Sequence, residues 1–92
     1  MKEHWVIRIT GHVQGVYYRA HAKEKAEELG LFGTIQNQQD GSVLLEAEGT
    51  PEQLGKLVRW CHKGSPGAEV RSVEVQPGAL QGFTHFFIKR SL

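Results

Sequence analysis

The chain has 92 residues, 39 % of them apolar and 23 % charged. At roughly 100–200 residues per domain this predicts one domain over residues 1–92, and the charge content, close to the ordinary globular level of about 25 %, argues against disorder. Eleven Lys and Arg against ten Asp and Glu leave a formal net charge of +1, which excludes the strongly basic type of nucleic-acid module but not a local basic site.

Trp5 to Thr10 is a β-branched and aromatic run that predicts a strand, with Trp5, Ile7 and Ile9 on one face and Gly11 as its end. Arg8 interrupts the apolar run, so no signal-peptide core precedes it, and no apolar stretch is long enough to span a membrane. After a loop containing Gly15, the residues Tyr18, Ala22, Ala26 and Leu29 recur at helical spacing and predict an amphipathic helix. Gly30 suits its C-terminal stop, because glycine takes the left-handed conformation without steric penalty.

A second strand is expected over 31–37, centred on Ile35, and a third over 42–48, where Val43, Leu45 and Ala47 alternate with Leu44, Glu46 and Glu48. Asp40-Gly41 between them predicts a tight hairpin turn. Thr50-Pro51-Glu52-Gln53 has the form of a helix start: a threonine cap, a proline at the first helical position and a glutamine that completes a capping box. Leu54, Leu57, Val58 and Cys61 then form one apolar stripe, and Gly64-Ser65-Pro66-Gly67 stops it. A fourth strand is expected over 69–76, with Val73 and Val75 inward and Pro77-Gly78 as its break, and a last strand from Phe83 to Lys89. The order is β-α-β-β-α-β with one extra or split strand. It predicts an α+β, ferredoxin-like α/β sandwich, with two helices on one face of an antiparallel four- or five-stranded sheet.

Cys61 is the sole cysteine, so no intramolecular disulfide forms, and its place in the apolar stripe marks it as core rather than nucleophile. The expected setting is reducing and cytoplasmic. His4, His62 and His85 lack metal-ligand spacing, and no carboxylate cluster for a divalent cation is evident, so neither a metal nor a cofactor is expected. His12 and His21 lie near the glycine loop and read as solvated. Glu24, Glu27 and Glu28 read as the wet face of the first helix.

The chemistry concentrates in Gly11-His12-Val13-Gln14-Gly15-Val16-Tyr17-Tyr18-Arg19, between the first strand and the first helix. Unpaired N–H groups at a helix N-terminus carry partial positive charge, and a glycine-containing loop lets several of them converge on an anion. Arg19 falls in the first helical turn, where the helix dipole disfavours a cation, and its planar fork matches phosphate oxygens. The same features also describe a tight turn followed by a surface arginine. No Walker motif and no dinucleotide fingerprint is present.

Taken whole, Gly11-x-Val13-Gln14-Gly15-Val16-x-Tyr18-Arg19 resembles the first signature of the acylphosphatase family. Gly33-Thr34-Ile35-Gln36-Asn37, followed by Gly41, Val43 and Gly49, resembles the second, with Thr34 where that family has an aromatic residue. Thr34 keeps strand propensity, and looser packing beside Asn37 is expected from it. Phe86-Phe87-Ile88-Lys89 is similar to the family's C-terminal strand, so the resemblance covers essentially the whole chain.

The resemblance implies hydrolysis of the carboxyl-phosphate bond of a small acyl phosphate, and the lack of a carboxylate cluster predicts that it is metal-independent. Arg19 would bind the phosphoryl group and Asn37 would orient the attacking water. The amides of Gly15, Val16, Tyr17, Tyr18 and Arg19 would cradle the phosphate, with Gln14 at the edge. A monomer with no nucleic-acid or membrane partner is expected. Two other classes share the strand and helix order. An RNA-recognition module would need an aromatic signature that this chain lacks, and its third strand is acidic. A phosphate-binding module without catalysis would not need a water-orienting amide.

Overall fold

The computed structural model describes residues 1–91. Its elements are β1 (Glu3–His12), α1 (Tyr18–Glu28), β2 (Phe32–Asn37), β3 (Val43–Gly49), α2 (Pro51–Lys63), β4 (Glu69–Gly78) and β5 (Phe86–Ile88). They form one five-stranded sheet in the order β4-β1-β3-β2-β5. Both helices pack on one face: α1 lies against β2 and β5, α2 lies against β4, and the helices touch each other. This is the expected ferredoxin-like α+β arrangement.

The core follows the two periodicities of the sequence. Ile7 and Ile9 of β1, Ile35 of β2, and Val43, Leu45 and Ala47 of β3 are fully buried under the helices. Tyr18, Ala22 and Ala26 of α1 and Leu54, Leu57 and Cys61 of α2 meet them. Full burial of an aliphatic side chain of this kind contributes about 1.5–3 kcal/mol, so these rows fix which face of each strand turns inward.

The helix ends are local and form as the sequence dictates. Thr50 Oγ1 accepts from the Gln53 amide at 3.2 Å, while Gln53 Oε1 accepts from the Thr50 amide at 2.9 Å. At the end of α1 the cap residue is Leu29, half-buried, and Gly30 follows it at φ 77°. The amide of Gly30 donates to the Glu27 carbonyl and that of Leu31 to the Ala26 carbonyl, the paired bonds of a Schellman stop.

Five expectations need correction. The sheet is mixed rather than antiparallel, because β5 runs parallel to β2 with Gly33, Thr34 and Ile35 opposite Phe86, Phe87 and Ile88. Gly11 does not end β1: a bulge between Thr10 and Gly11 lets the strand continue to His12. β4 continues through Pro77 to Gly78, which an edge strand permits. Its Val75 is 40 % exposed, since an edge strand has a neighbour on one side only. The last strand is three residues rather than seven; at its expected start the amide of Phe83 turns to the Glu48 carboxylate and not to β2.

Candidate active site

The loop from β1 to α1 is held on three sides. The carboxamide of Gln14 donates to the carbonyls of Gln38 and Ser42, each at 2.8 Å. Ser65, buried beyond α2, donates its hydroxyl to the Val16 carbonyl at 2.8 Å. The hydroxyl of Tyr18 donates to the Cys61 carbonyl at 2.8 Å, and its ring lies 5.2 Å from that of Trp60. Burial of this phenol pushes its pKa up, which keeps it a neutral donor. The clamps hold two left-handed steps, Gly15 at φ 76° and Tyr17 at φ 60°. Glycine adopts that geometry freely, whereas a residue with a side chain pays about 1–2 kcal/mol.

The strained loop aims its amides outward. Tyr17 occupies the cap position of α1 but offers no side-chain acceptor, and the first turn contains no acidic residue. Among the described residues the amides of Gly15, Val16, Tyr17, Tyr18 and Arg19 have no acceptor. They therefore form a positive helix end suited to an anion. Arg19 stands in this turn, half-buried. Its guanidinium Nη1 donates to the Lys89 carbonyl and to Ser91 Oγ, both at 3.3 Å.

Asn37 ends β2, opposite Val43 across the hairpin. Its Oδ1 is buried and has no partner among the described residues. A buried carboxamide oxygen without a donor is costly unless something supplies one. Asn37 and Arg19 line the same cavity, of about 370 Å³.

Of the seven residues expected from the sequence, Gly15, Tyr17, Tyr18, Arg19 and Asn37 line that cavity. Gln14 and Val16 do not: the Gln14 side chain is committed to the hairpin carbonyls, and Val16 ties the loop to Ser65 through its carbonyl. Val13, Ala20 and Ile88 complete the lining. Ile88 arrives from β5, a long-range pairing that no local pattern announces.

Thr34 projects from the opposite face of β2 to Ile35 and Asn37, between Glu46 and Phe87. It does not pack beside Asn37, so no loosening there follows from it. His12 and His21 are exposed, as are Glu24, Glu27 and Glu28. Cys61 is fully buried, and that burial pushes its thiol up to about 12. Among the described residues no group of three His, Cys, Asp or Glu is placed to hold a metal ion, and no helix is long and apolar enough to cross a membrane.

His4 is the residue that sequence reasoning passed over. It is 2 % exposed and lies on the sheet face away from the helices, between Glu48 and Glu46. Strand parity held the signal: His4 is out of phase with Ile7 and Ile9, as Glu46 and Glu48 are with Leu45 and Ala47.

A model of the acylphosphatase family matches residues 5–88. An acylphosphatase of Marinobacter nauticus is 49 % identical over 83 residues, spanning 89 % of this chain and 90 % of that protein. One of Methylococcus capsulatus is 45 % identical over 87 residues, spanning 94 % and 95 %. The crystal structure of acylphosphatase from Bacillus subtilis superposes with a TM-score of 0.92 at 32 % identity, over 97 % of this chain and 99 % of that one.

Proposed function

The chain belongs to the acylphosphatase family, enzymes that hydrolyse the carboxyl-phosphate bond of acyl phosphates, and we propose that Arg19, Asn37 and the amides of residues 15–19 carry that hydrolysis here. The phosphoryl group sits at the N-terminus of α1. Its oxygens accept from the loop amides and from the Arg19 guanidinium, which meet the charge that spreads over them during transfer. The Asn37 carboxamide oxygen accepts a hydrogen from one water molecule and holds it behind phosphorus, in line with the bond to the acyl oxygen. The water oxygen bonds to phosphorus, the bond to the acyl oxygen breaks, and the carboxylate leaves with the electron pair. The surplus proton passes to solvent or to phosphate.

The leaving group explains the sparse equipment. A carboxylate departs without protonation, so no general acid is needed, and an asparagine is too weak a base to do more than orient. Arginine and backbone amides supply the positive field, and the reaction needs no metal. An alkyl phosphate has a far poorer leaving group and is a poor substrate. The partner is a small acyl phosphate, with no nucleic acid or membrane; the chain acts as a cytoplasmic monomer of one domain, residues 1–92.

The observation that supports this reading best is the convergence of Arg19, the open end of α1 and the unpartnered Asn37 oxygen on one cavity. The test is phosphate release from an aryl acyl phosphate in the presence of a chelator, beside a simple alkyl phosphate. Turnover of the first alone is expected. Loss of turnover on chelation, or comparable turnover of the monoester, overturns the proposed chemistry.

A further inference from the structure

The connection between β4 and β5 is seven residues, 79–85, yet these strands are the two opposite edges of the sheet. With strands about 4.8 Å apart the crossing is about 19 Å, and the segment from Gly78 to Phe86 reaches at most about 28 Å. That reach allows a direct crossing, and the contacts of Gln81, Gly82 and Phe83 with Glu48 make it a strap across the face that carries no helix. Gly78, His4, Glu48 and Phe32 form one row across the strands at that level.

Glu48 is the fastening. Its Oε2 accepts from the Gln81 amide at 2.6 Å, and its Oε1 accepts from the Gly82 and Phe83 amides at 3.1 and 3.2 Å. His4 supports it from below. Nδ1 meets Glu48 Oε2 at 2.7 Å, Nε2 meets Glu46 Oε1 at 2.9 Å, and the Phe83 ring stacks over the imidazole at 6.0 Å. Glu48 is only 4 % exposed, and a buried carboxylate persists only when its lone pairs are met.

The strap leads into the site. β5 is only three residues long and lies at the sheet edge. Directly after the strap it delivers Ile88 to the cavity wall, and the next carbonyl, that of Lys89, holds Arg19. We propose that Glu48, backed by His4, is a positioning residue for the hydrolysis: by fastening the strap it sets where β5 places Ile88 and Lys89, and so how Arg19 meets the phosphoryl group. It touches no substrate and acts through Arg19. Restraint of a charge-bearing fork by a remote anchor is where sub-ångström shifts cost binding.

The inference rests on the proposed role of Arg19, which Arg19→Ala tests by itself; a strap variant without effect beside an inactive Arg19→Ala counts against the strap alone. The variant is Glu48→Gln, which keeps the shape and gives up acceptor capacity at one oxygen. Kinetics on an aryl acyl phosphate, with inorganic phosphate as competitive inhibitor, are read well below the unfolding midpoint. The expected result is a rise of about fivefold or more in KM and in the phosphate inhibition constant, with a smaller change in kcat. A purely structural role would lower the midpoint and leave these constants alone. If that chain does not fold, His4→Gln is read in the same way, with a rise of about threefold or more expected. Unchanged constants in the folded variant overturn the proposal, as do amides of Gln81, Gly82 and Phe83 that exchange with solvent at unprotected rates in the parent protein.

Discussion

Gln14 reaches across to Ser42 and donates to its carbonyl at 2.8 Å, with the Gln38 carbonyl taken by the same nitrogen at 2.8 Å. One side chain thereby joins the loop whose amides are proposed to bind the anion to the hairpin that carries Asn37. Each carbonyl keeps a second donor, Gly41 for Gln38 and Gln38 for Ser42. The expected cost of Gln14→Ala is therefore about 1–2 kcal/mol, near the lower end for a lost buried partner. At about 4–8 °C per kcal/mol for a domain of this size, the fall in Tm is readily measured. Lower kcat/KM at temperatures where the variant is folded is expected too, and its absence would show that loop and hairpin keep their register without the bridge.

Arg19 and Asn37 are expected to fail differently. Arg19→Ala removes the fork from the phosphoryl group, so turnover and inhibition by inorganic phosphate both disappear while the fold remains. Asn37→Ala removes the water's acceptor, so turnover disappears and phosphate still binds. The loss of one aimed group costs about 10²–10³ in rate in other enzymes. Steady-state kinetics with phosphate inhibition separates the two, and a fall of less than about tenfold at either position contradicts its role.

Protonation of Glu48, and to a lesser degree of Asp40, is expected to lower stability in acid. Burial raises the Glu48 carboxyl, but the Gln81 amide, His4 and the amides of Phe83 and Gly82 together hold it below its usual value. The hydroxyl and amide of Ser42, and then Arg8, hold Asp40 low. A carboxyl with a lowered folded-state pKa contributes stability above its unfolded value, and that contribution is lost as pH falls through the folded value. The expected Tm is level from neutral pH to about pH 5 and declines below about pH 4.5. Glu48→Gln flattens the declining limb. Asp40→Asn has a smaller effect, because that side chain is exposed and its pair with Arg8 is screened.

Cys61 is expected to be inert. With its thiol pushed up to about 12 and its side chain fully buried, almost no thiolate exists at neutral pH. Incubation with a thiol-alkylating reagent leaves the activity of the folded protein intact and modifies the cysteine only after denaturation. Rapid inactivation of the native protein would contradict this.

What the sequence discloses here is what nearby residues decide. The Thr50 capping box, the Gly30 stop, the stripe of Tyr18, Ala22 and Ala26 and the alternation on β3 all depend on partners within a few positions, and all form as read. The parallel pairing of Gly33 with Phe86 depends on where a strap lands after crossing the sheet, and no local pattern specifies that. The spacing of His4 suits no metal and points to no other role, because its partners lie 42 and 44 residues away on β3. Periodicity alone placed an arginine beside a helix end. The resemblance of two signatures, not spacing, brought Asn37 to it.

The late position of β5 in the chain has a consequence for C-terminal trimming. Every strand that pairs with β1 or β3 lies before residue 79, so a cut after Gly78 removes only β5 from the sheet. The same cut removes the Lys89 carbonyl that anchors the guanidinium of Arg19. A clipped chain would keep four of its five strands and leave that side chain untethered.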